Sequence, residues 1–217
     1  MQRLNEQYPL RRGAHERRDD GMCAMEMVAW LAGEEHSDEP QCACPVIAAY
    51  VRTLNDFLPN DAARDRLLRP LVPKFVNTRE PQAARRTAAE LRRGFLVVDA
   101  CVRRFVPHLL DKRDKAAEAA ALRALPEVRD AGAARTALRA VDHWARDLHS
   151  ARWVLQRAIE GMPPARYVAG ALQLVRRAGD AAAWAMAAEV AEALTTAPRV
   201  ERAPGGVESG VEFDAAD

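Results

Sequence analysis

The chain has 217 residues, of which 44 are alanine and 29 are arginine, and its formal net charge is +1. Alanine and arginine are strong helix formers, so the composition argues against an all-β fold and predicts an all-α protein. The near-zero net charge gives no global attraction to nucleic acid or to an acidic membrane, and no apolar run is long enough to span a bilayer. The first twenty residues lack the apolar stretch of a secretory signal, so we expect a cytoplasmic protein.

Composition divides the chain into three parts. Residues 1–20 are polar and arginine-rich without periodicity, which predicts a flexible arm. Residues 198–217 combine Pro and Gly with two arginines against five carboxylates and predict a disordered acidic tail. We expect residues 21–197 to form a single all-helical domain, with an alternative sub-boundary near residues 77–81.

Helix signals follow one another closely between the two ends. Pro45 suits the first turn of a helix, and a loop over residues 34–44 precedes it. Short connections make neighbouring helices antiparallel, so the fold predicted is an N-terminal helical segment with a Cys/His loop, followed by an up-and-down helical bundle. The predicted helices cover approximately residues 22–32, 45–58, 61–69, 82–110, 115–125, 130–160, 163–178 and 181–195.

The predicted helix over residues 82–110 has the clearest period. Its apolar positions gather on one face, and six arginines gather on another within an arc of roughly 120°. The arginines could contact the phosphates of nucleic acid. However, no aromatic residues lie between them and the net charge is near zero, which argues against nucleic acid and favours a solvated face or pairing with the acidic loop. The six are Arg85, Arg86, Arg92, Arg93, Arg103 and Arg104.

Residues 21–45 concentrate the groups that could carry chemistry. The segment holds three of the four cysteines, one of the five histidines and five carboxylates. Zinc prefers thiolate and imidazole ligands in a tetrahedron, so Cys23, His36, Cys42 and Cys44 suggest a structural zinc (Zn) site. The spacing C-x₁₂-H-x₅-C-x-C matches no standard zinc finger. The alternative is that the cysteines pack as small buried side chains and that the loop is only a hydrogen-bonded turn.

An enzyme is a second hypothesis for the same segment. A thiol near a helix N-terminus can act as a nucleophile, so Cys23 could be the nucleophile and His36 its base, with Asp38 or Glu35 orienting the imidazole. In another arrangement Glu26, His36 and Asp38 would hold a hydrolytic metal ion. Either arrangement predicts a cysteine- or metal-dependent hydrolase or transferase. The sequence contains no nucleotide or flavin motif.

A longer pattern runs through the same region. It reads M-C-x-M-E, then A-G-E-x-x-S-D-x-P-x-C, then P-V and a downstream N-D. Its members are Met22, Cys23, Met25, Glu26, Ala32, Gly33, Glu34, Ser37, Asp38, Pro40, Cys42, Pro45, Val46, Asn55 and Asp56. Residues 21–79 thereby resemble the opening of a family of uncharacterised bacterial proteins. No activity is known for that family, so the resemblance implies no catalytic roles and only suggests that the cluster recurs as a unit.

These observations favour a non-enzymatic helical binding or regulatory module with a structural zinc site within residues 23–44. Its partner would be a protein or a small ligand, without membrane attachment. The enzyme hypothesis and nucleic-acid binding through the arginines of residues 82–110 stay open as alternatives.

Overall fold

The computed structural model describes residues 8–196, and this part of the chain is built from α-helices with short connections. No strand forms in this range, where a single parallel bridge pairs Leu10 with Met22. The predicted all-α class is therefore confirmed, and the up-and-down order of the bundle stays a prediction. The helices are α1 (Ala24–Ala32), α2 (Pro45–Phe57), α3 (Asp61–Leu67), α4 (Val72–Phe75), α5 (Ala83–Ala100), α6 (Val106–Asp111), α7 (Ala116–Arg123), α8 (Ala131–Trp144), α9 (His149–Ile159), α10 (Val168–Ala178) and α11 (Ala181–Thr196).

Helix α2 connects the two halves of the chain. Pro45 occupies its first turn, as predicted, because a residue there needs no amide for an intrahelical hydrogen bond. The helix packs against α1 on one side and against α5, α10 and α11 on others. The fully buried Tyr50 donates its hydroxyl hydrogen to the carbonyl oxygen of Ala187 in α11, over 3.1 Å. This hydrogen bond satisfies a polar group in the core and ties the first helices to the last one.

The long helix predicted over residues 82–110 is interrupted. Helix α5 ends at Ala100, a π-helical segment covers Cys101–Phe105, and α6 follows directly. Within the π segment the amide of Val106 donates to the carbonyl oxygen of Cys101, five residues back. Pro107 has no amide hydrogen and its ring crowds the preceding turn, so the helix widens here instead of continuing regularly.

The prediction of a single helix over residues 130–160 is wrong. The structure has α8 and α9 in its place, separated by a turn over residues 145–148. Ala145 leaves the helical region with φ −145° and ψ 34°, and Leu148 is buried in the turn. The turn lets the apolar faces of α8 and α9 pack against each other, which one straight helix could not do.

The tryptophans divide between the core and the surface. Trp184 is 6% exposed, but Trp144 and Trp153 are 38% and 39% exposed. Trp144 is the last residue of α8, where the chain turns away, so it does not reach the core.

Residues 77–81, where we placed an alternative sub-boundary, are bonded to the loop before α2. The amide of Arg79 donates to the carbonyl oxygen of Cys42 over 2.9 Å, and the Thr78 hydroxyl accepts from the amide of Cys44 over 3.0 Å. The predicted acidic tail over residues 198–217 lies outside the described residues. No helix within residues 8–196 has the length and apolar character needed to cross a membrane.

Asp180 joins three elements at the start of α11. Its carboxylate accepts from the amide of Ala183 over 2.8 Å, from Lys112 Nζ over 2.7 Å and from His108 Nε2 over 3.0 Å. Burial acts to raise the pKa of Asp180, but the hydrogen bonds from Lys112, Ala183 and His108 outweigh it and hold this pKa below its ordinary value. A carboxylate with a depressed folded pKa contributes stability above its unfolded pKa, and this contribution is lost as the pH falls through the folded pKa.

We predict that Asp180→Asn lowers the free energy of unfolding near pH 7, and that this difference from the wild type shrinks below about pH 4. Asparagine and aspartate are equally good N-cap residues, so the substitution removes the charge and keeps the cap. Urea unfolding near pH 7 and again below about pH 4 measures the difference in the free energy of unfolding between variant and wild type. Asp130→Asn is the matched control, because Asp130 caps α8 through the amide of Ala133 and forms no ion pair in the described structure. An equal loss of unfolding free energy at both pH values would show that the ion pairs of Asp180 do not contribute to stability.

Candidate functional site

The arm at the start of the chain is docked on the first three helices. We expected residues 1–20 to be flexible, but the described part, residues 8–20, is held by carboxylates that accept from its backbone amides. Leu10 donates to Asp65 over 3.0 Å and Gly13 donates to Asp56 over 2.9 Å. Composition did not reveal this docking, because the partners belong to later helices and the arm itself is polar.

Aromatic contacts hold the two ends of the arm. The ring of Tyr8 meets the ring of Trp30 edge-on, with centroids 5.4 Å apart. The guanidinium carbon of Arg18 lies 5.7 Å from the centroid of the same Trp30 ring, within the range of a cation–π contact. Trp30 therefore binds the arm at both ends and fixes its path across α1.

Glu26 is the buried centre of this region. Its side chain is 1% exposed. One carboxylate oxygen accepts from the amide of His15 over 2.6 Å, and the other accepts from His15 Nδ1 over 2.9 Å and from the amide of Cys23 over 2.7 Å. Three donors thus surround a carboxylate that would otherwise be costly to bury.

His36 completes the cluster from the loop side. Its Nε2 lies 2.8 Å from the carbonyl oxygen of His15 and 3.6 Å from Glu26. Since a carbonyl oxygen only accepts, Nε2 carries the hydrogen and donates it. The other ring nitrogen, Nδ1, is buried without a hydrogen-bond partner in the described structure. The loop is thereby tied to the arm, and both are tied to α1.

Cys23 is the N-cap residue of α1, whereas the helix was expected to cover residues 22–32 and so to include Cys23. Its Sγ accepts from the amide of Glu26 over 3.4 Å, while Glu26 accepts from the amide of Cys23, which is the reciprocal pattern of a capping box. Burial, with the nearby charge of Glu26, raises the pKa of the Cys23 thiol to about 12. The thiol is therefore protonated at neutral pH, and this environment does not activate it as a nucleophile.

The other two cysteines of the segment have separate structural roles. The amide of Cys42 donates to Glu34 over 2.7 Å, and this residue is half-buried. Cys44 is buried and immediately precedes α2. No group of three or more His, Cys, Asp or Glu side chains within residues 8–196 is arranged to hold a metal ion. The zinc site expected from Cys23, His36, Cys42 and Cys44 stays a prediction.

A polar cavity of about 210 Å³ opens between the arm and α2, and we call it the arm cavity. Arg52, on its wall, donates to the carbonyl oxygen of Asp38 over 3.2 Å and to the Glu39 carboxylate over 2.6 Å. The guanidinium is therefore already engaged by the loop. The cavity is lined by Gly13, Ala14, Cys23, Asp38, Arg52, Thr53 and Asp56.

A second cavity, of about 280 Å³, is also lined by Arg52. Residues 39–41 of the loop, the first turn of α2 and Arg79 also contribute to its lining. Arg79 donates to the side-chain oxygen of Gln41 over 2.9 Å. Loop residues therefore line both cavities, and Arg52 is common to both.

The six arginines expected on one face of the long helix have different environments. Arg93 is buried, Arg103 lies 3.4 Å from Asp99, and Arg104 pairs with Glu189 of α11. Arg85, Arg86 and Arg92 are half-buried near the start of α5. The stripe is therefore not a uniformly solvated face, because part of it packs against α11.

No family model matches the chain, and no curated protein or solved structure matches it either. The resemblance to uncharacterised bacterial proteins therefore stays a prediction.

Sequence reasoning missed His15 and the role of two residues in α2. His15 lies in a polar segment without periodicity, so no pattern distinguished it. Asn55 and Asp56 were noticed only as part of the resemblance. The Asn55 amide donates to the carbonyl oxygen of Arg11 over 2.8 Å, and Asp56 accepts from Gly13. Both residues bind the arm, which gives the N-D pair of this sequence a structural role.

We predict that the four cysteines react with iodoacetamide in a defined order. Cys42 is half-buried and should react first, whereas Cys23, Cys44 and Cys101 are buried and should react only as the protein unfolds. Burial raises the pKa of Cys101, like that of Cys23, to about 12. Mass spectrometry of the natively alkylated protein measures the order, with urea-unfolded protein as the control for intrinsic reactivity. Faster reaction at Cys23 than at Cys42 would contradict this structure and favour the catalytic hypothesis.

Proposed function

We propose that the protein is a non-enzymatic binding module and that the arm cavity takes a small cationic group of its ligand. An ammonium or a guanidinium group, from a small amine or from a peptide, has the required chemistry. The proposal is supported by one observation above all. The arm, the start of α1, the loop and α2 are separate in sequence, and each contributes lining residues to the same polar cavity.

The charges around the arm cavity favour a cation. Asp38 and Asp56 contribute two carboxylates to the lining, and Arg52 contributes one guanidinium. Arg52 pairs with the Glu39 carboxylate over 2.6 Å and with the Asp38 carboxylate over 3.7 Å, so one guanidinium is set against three carboxylates, those of Asp38, Glu39 and Asp56. The remaining negative charge attracts a positive group, and an anionic group would meet the two aspartates.

The size of the arm cavity limits what it can hold. Sites for whole drug-sized ligands usually measure about 300–1,000 Å³. At about 210 Å³, the arm cavity accommodates a group of a few heavy atoms but not a nucleotide. It is therefore suited to the end of a side chain or to a small amine.

The state of Cys23 supports a non-enzymatic role. Its thiol is 2% exposed at the edge of the cavity and its pKa of about 12 keeps it protonated. The two histidines of the cluster point to Glu26 and to the carbonyl oxygen of His15. These side chains hold the cavity wall in place rather than activating a nucleophile.

We predict that butylamine binds in the arm cavity and that butyrate, its anionic counterpart, does not. Titration followed by amide chemical shifts should show saturable changes at Gly13, Ala14 and Thr53 with the amine. Asp38→Asn should weaken binding about fivefold, which corresponds to a loss of about 1 kcal/mol for one half-buried charge at the surface. Asp38 is chosen because Asp56 also holds the arm through Gly13, so a change there would disturb the fold.

Asp142→Asn is the matched control, since it removes one carboxylate from α8 and should leave butylamine binding unchanged. Equal binding of butyrate would contradict the proposed charge preference. Unchanged affinity in Asp38→Asn would show that the ligand does not contact this cavity.

A further inference from the structure

The start of α5 carries positive charge that no carboxylate within residues 8–196 neutralises. Residues 83–93 contain four arginines and one glutamate. Arg93 and Arg86 have backbone partners: Arg93 Nε donates to the carbonyl oxygen of Leu194 over 3.0 Å, and Arg86 Nε donates to that of Glu80 over 3.1 Å. These hydrogen bonds satisfy donors but bring no negative charge to the arginines.

Arg85 and Arg92 remain, and we call them the arginine face. They are seven residues apart, so at 100° per residue they point within about 20° of each other. Neither forms an ion pair in the described structure, and Nε of Arg92 is buried without a hydrogen-bond partner there. The arginine face therefore offers two adjacent cations to an anionic partner.

The end of α11 brings the chain to this face. Arg104 of the π-helical segment after α5 pairs with Glu189, and Arg93 of α5 donates to the carbonyl oxygen of Leu194, so α11 runs antiparallel to α5. The described part of the chain ends at Thr196, still directed toward the start of α5. Arg85 is about 12 Å from Arg93 along the helix axis. A few extended residues after Thr196 span that distance.

The sequence that follows has the complementary charge. Residues 208–217 contain four carboxylates, from Glu208 to Asp217, and no basic residue. Residues 197–207 precede them with Pro and Gly, which supply enough chain to reach the arginine face. Carboxylates pair with guanidinium groups through charge-assisted hydrogen bonds.

We infer that residues 208–217 bind to the arginine face of α5 within the same molecule. This contact neutralises Arg85 and Arg92 and covers the only part of the predicted arginine stripe that lacks carboxylate or backbone partners in the described structure. It also occupies the surface that nucleic-acid phosphates would need, so the acidic segment competes with any such ligand.

Paramagnetic relaxation in the full-length protein tests this contact. A spin label is placed at Ser209→Cys in a Cys42→Ser background, because the other native cysteines are buried. We expect loss of amide signals at Arg85 and Arg92 at low salt and recovery of these signals at 1 M NaCl, where charges more than about 3 Å apart are screened. Arg85→Glu with Arg92→Glu should abolish the signal loss. Arg135→Glu with Arg139→Glu, the same charge change on α8, should preserve it.

If the arginine variant does not fold, Glu212→Lys with Asp214→Lys tests the same contact from the other side and should also abolish the signal loss. Signal loss that is unaffected by either reversal of charge would overturn the inference. Signal loss that occurs between a labelled copy and an isotope-enriched unlabelled copy would also overturn it, because it would assign the contact to a second molecule.

Discussion

The buried Glu26 carboxylate is the interaction on which the N-terminal half of this protein depends. It accepts hydrogen bonds from the amides of His15 and Cys23 and from the His15 ring. A carboxylate in the core is tolerated only with such partners, because its desolvation is costly. The arm and the start of α1 must therefore stay in place together. Glu26 holds the arm in place by accepting its hydrogen bonds, and the docked arm supplies the donors that the buried carboxylate needs.

This mutual dependence makes the cavity a product of tertiary structure. Gly13 and Ala14 form one wall only because the arm is docked, and Arg52 and Thr53 form another from α2. The loop is held by His36 on one side and by Arg52 on the other. The two surfaces differ in charge: the arm cavity has a local excess of carboxylates, and the start of α5 has a local excess of arginines. The net charge of the whole chain, +1, shows neither of these local charge excesses.

Sequence reasoning predicted the features that depend on local signals. Pro45 was recognised as a helix start, and Gly179, directly after the helix predicted over residues 163–178, ends α10 in the left-handed conformation at φ 68°. The turn after Trp144 was missed because it contains neither Gly nor Pro and is determined by packing between α8 and α9. Cys23 was assigned to a helical turn rather than to the cap, since cysteine is rarely considered a capping residue.

Hydrogen exchange in Glu26→Gln tests the central role of this carboxylate most directly. Glutamine keeps the shape of the side chain but offers an amide group to donors that need an acceptor, so we expect faster exchange at the amides of His15 and Cys23. The free energy of unfolding should fall by roughly 2 kcal/mol. Glu35→Gln, an exposed change in the neighbouring loop, should leave both quantities nearly unchanged. If the amides of His15 and Cys23 exchanged at the wild-type rate in Glu26→Gln, the central role of this carboxylate would be contradicted.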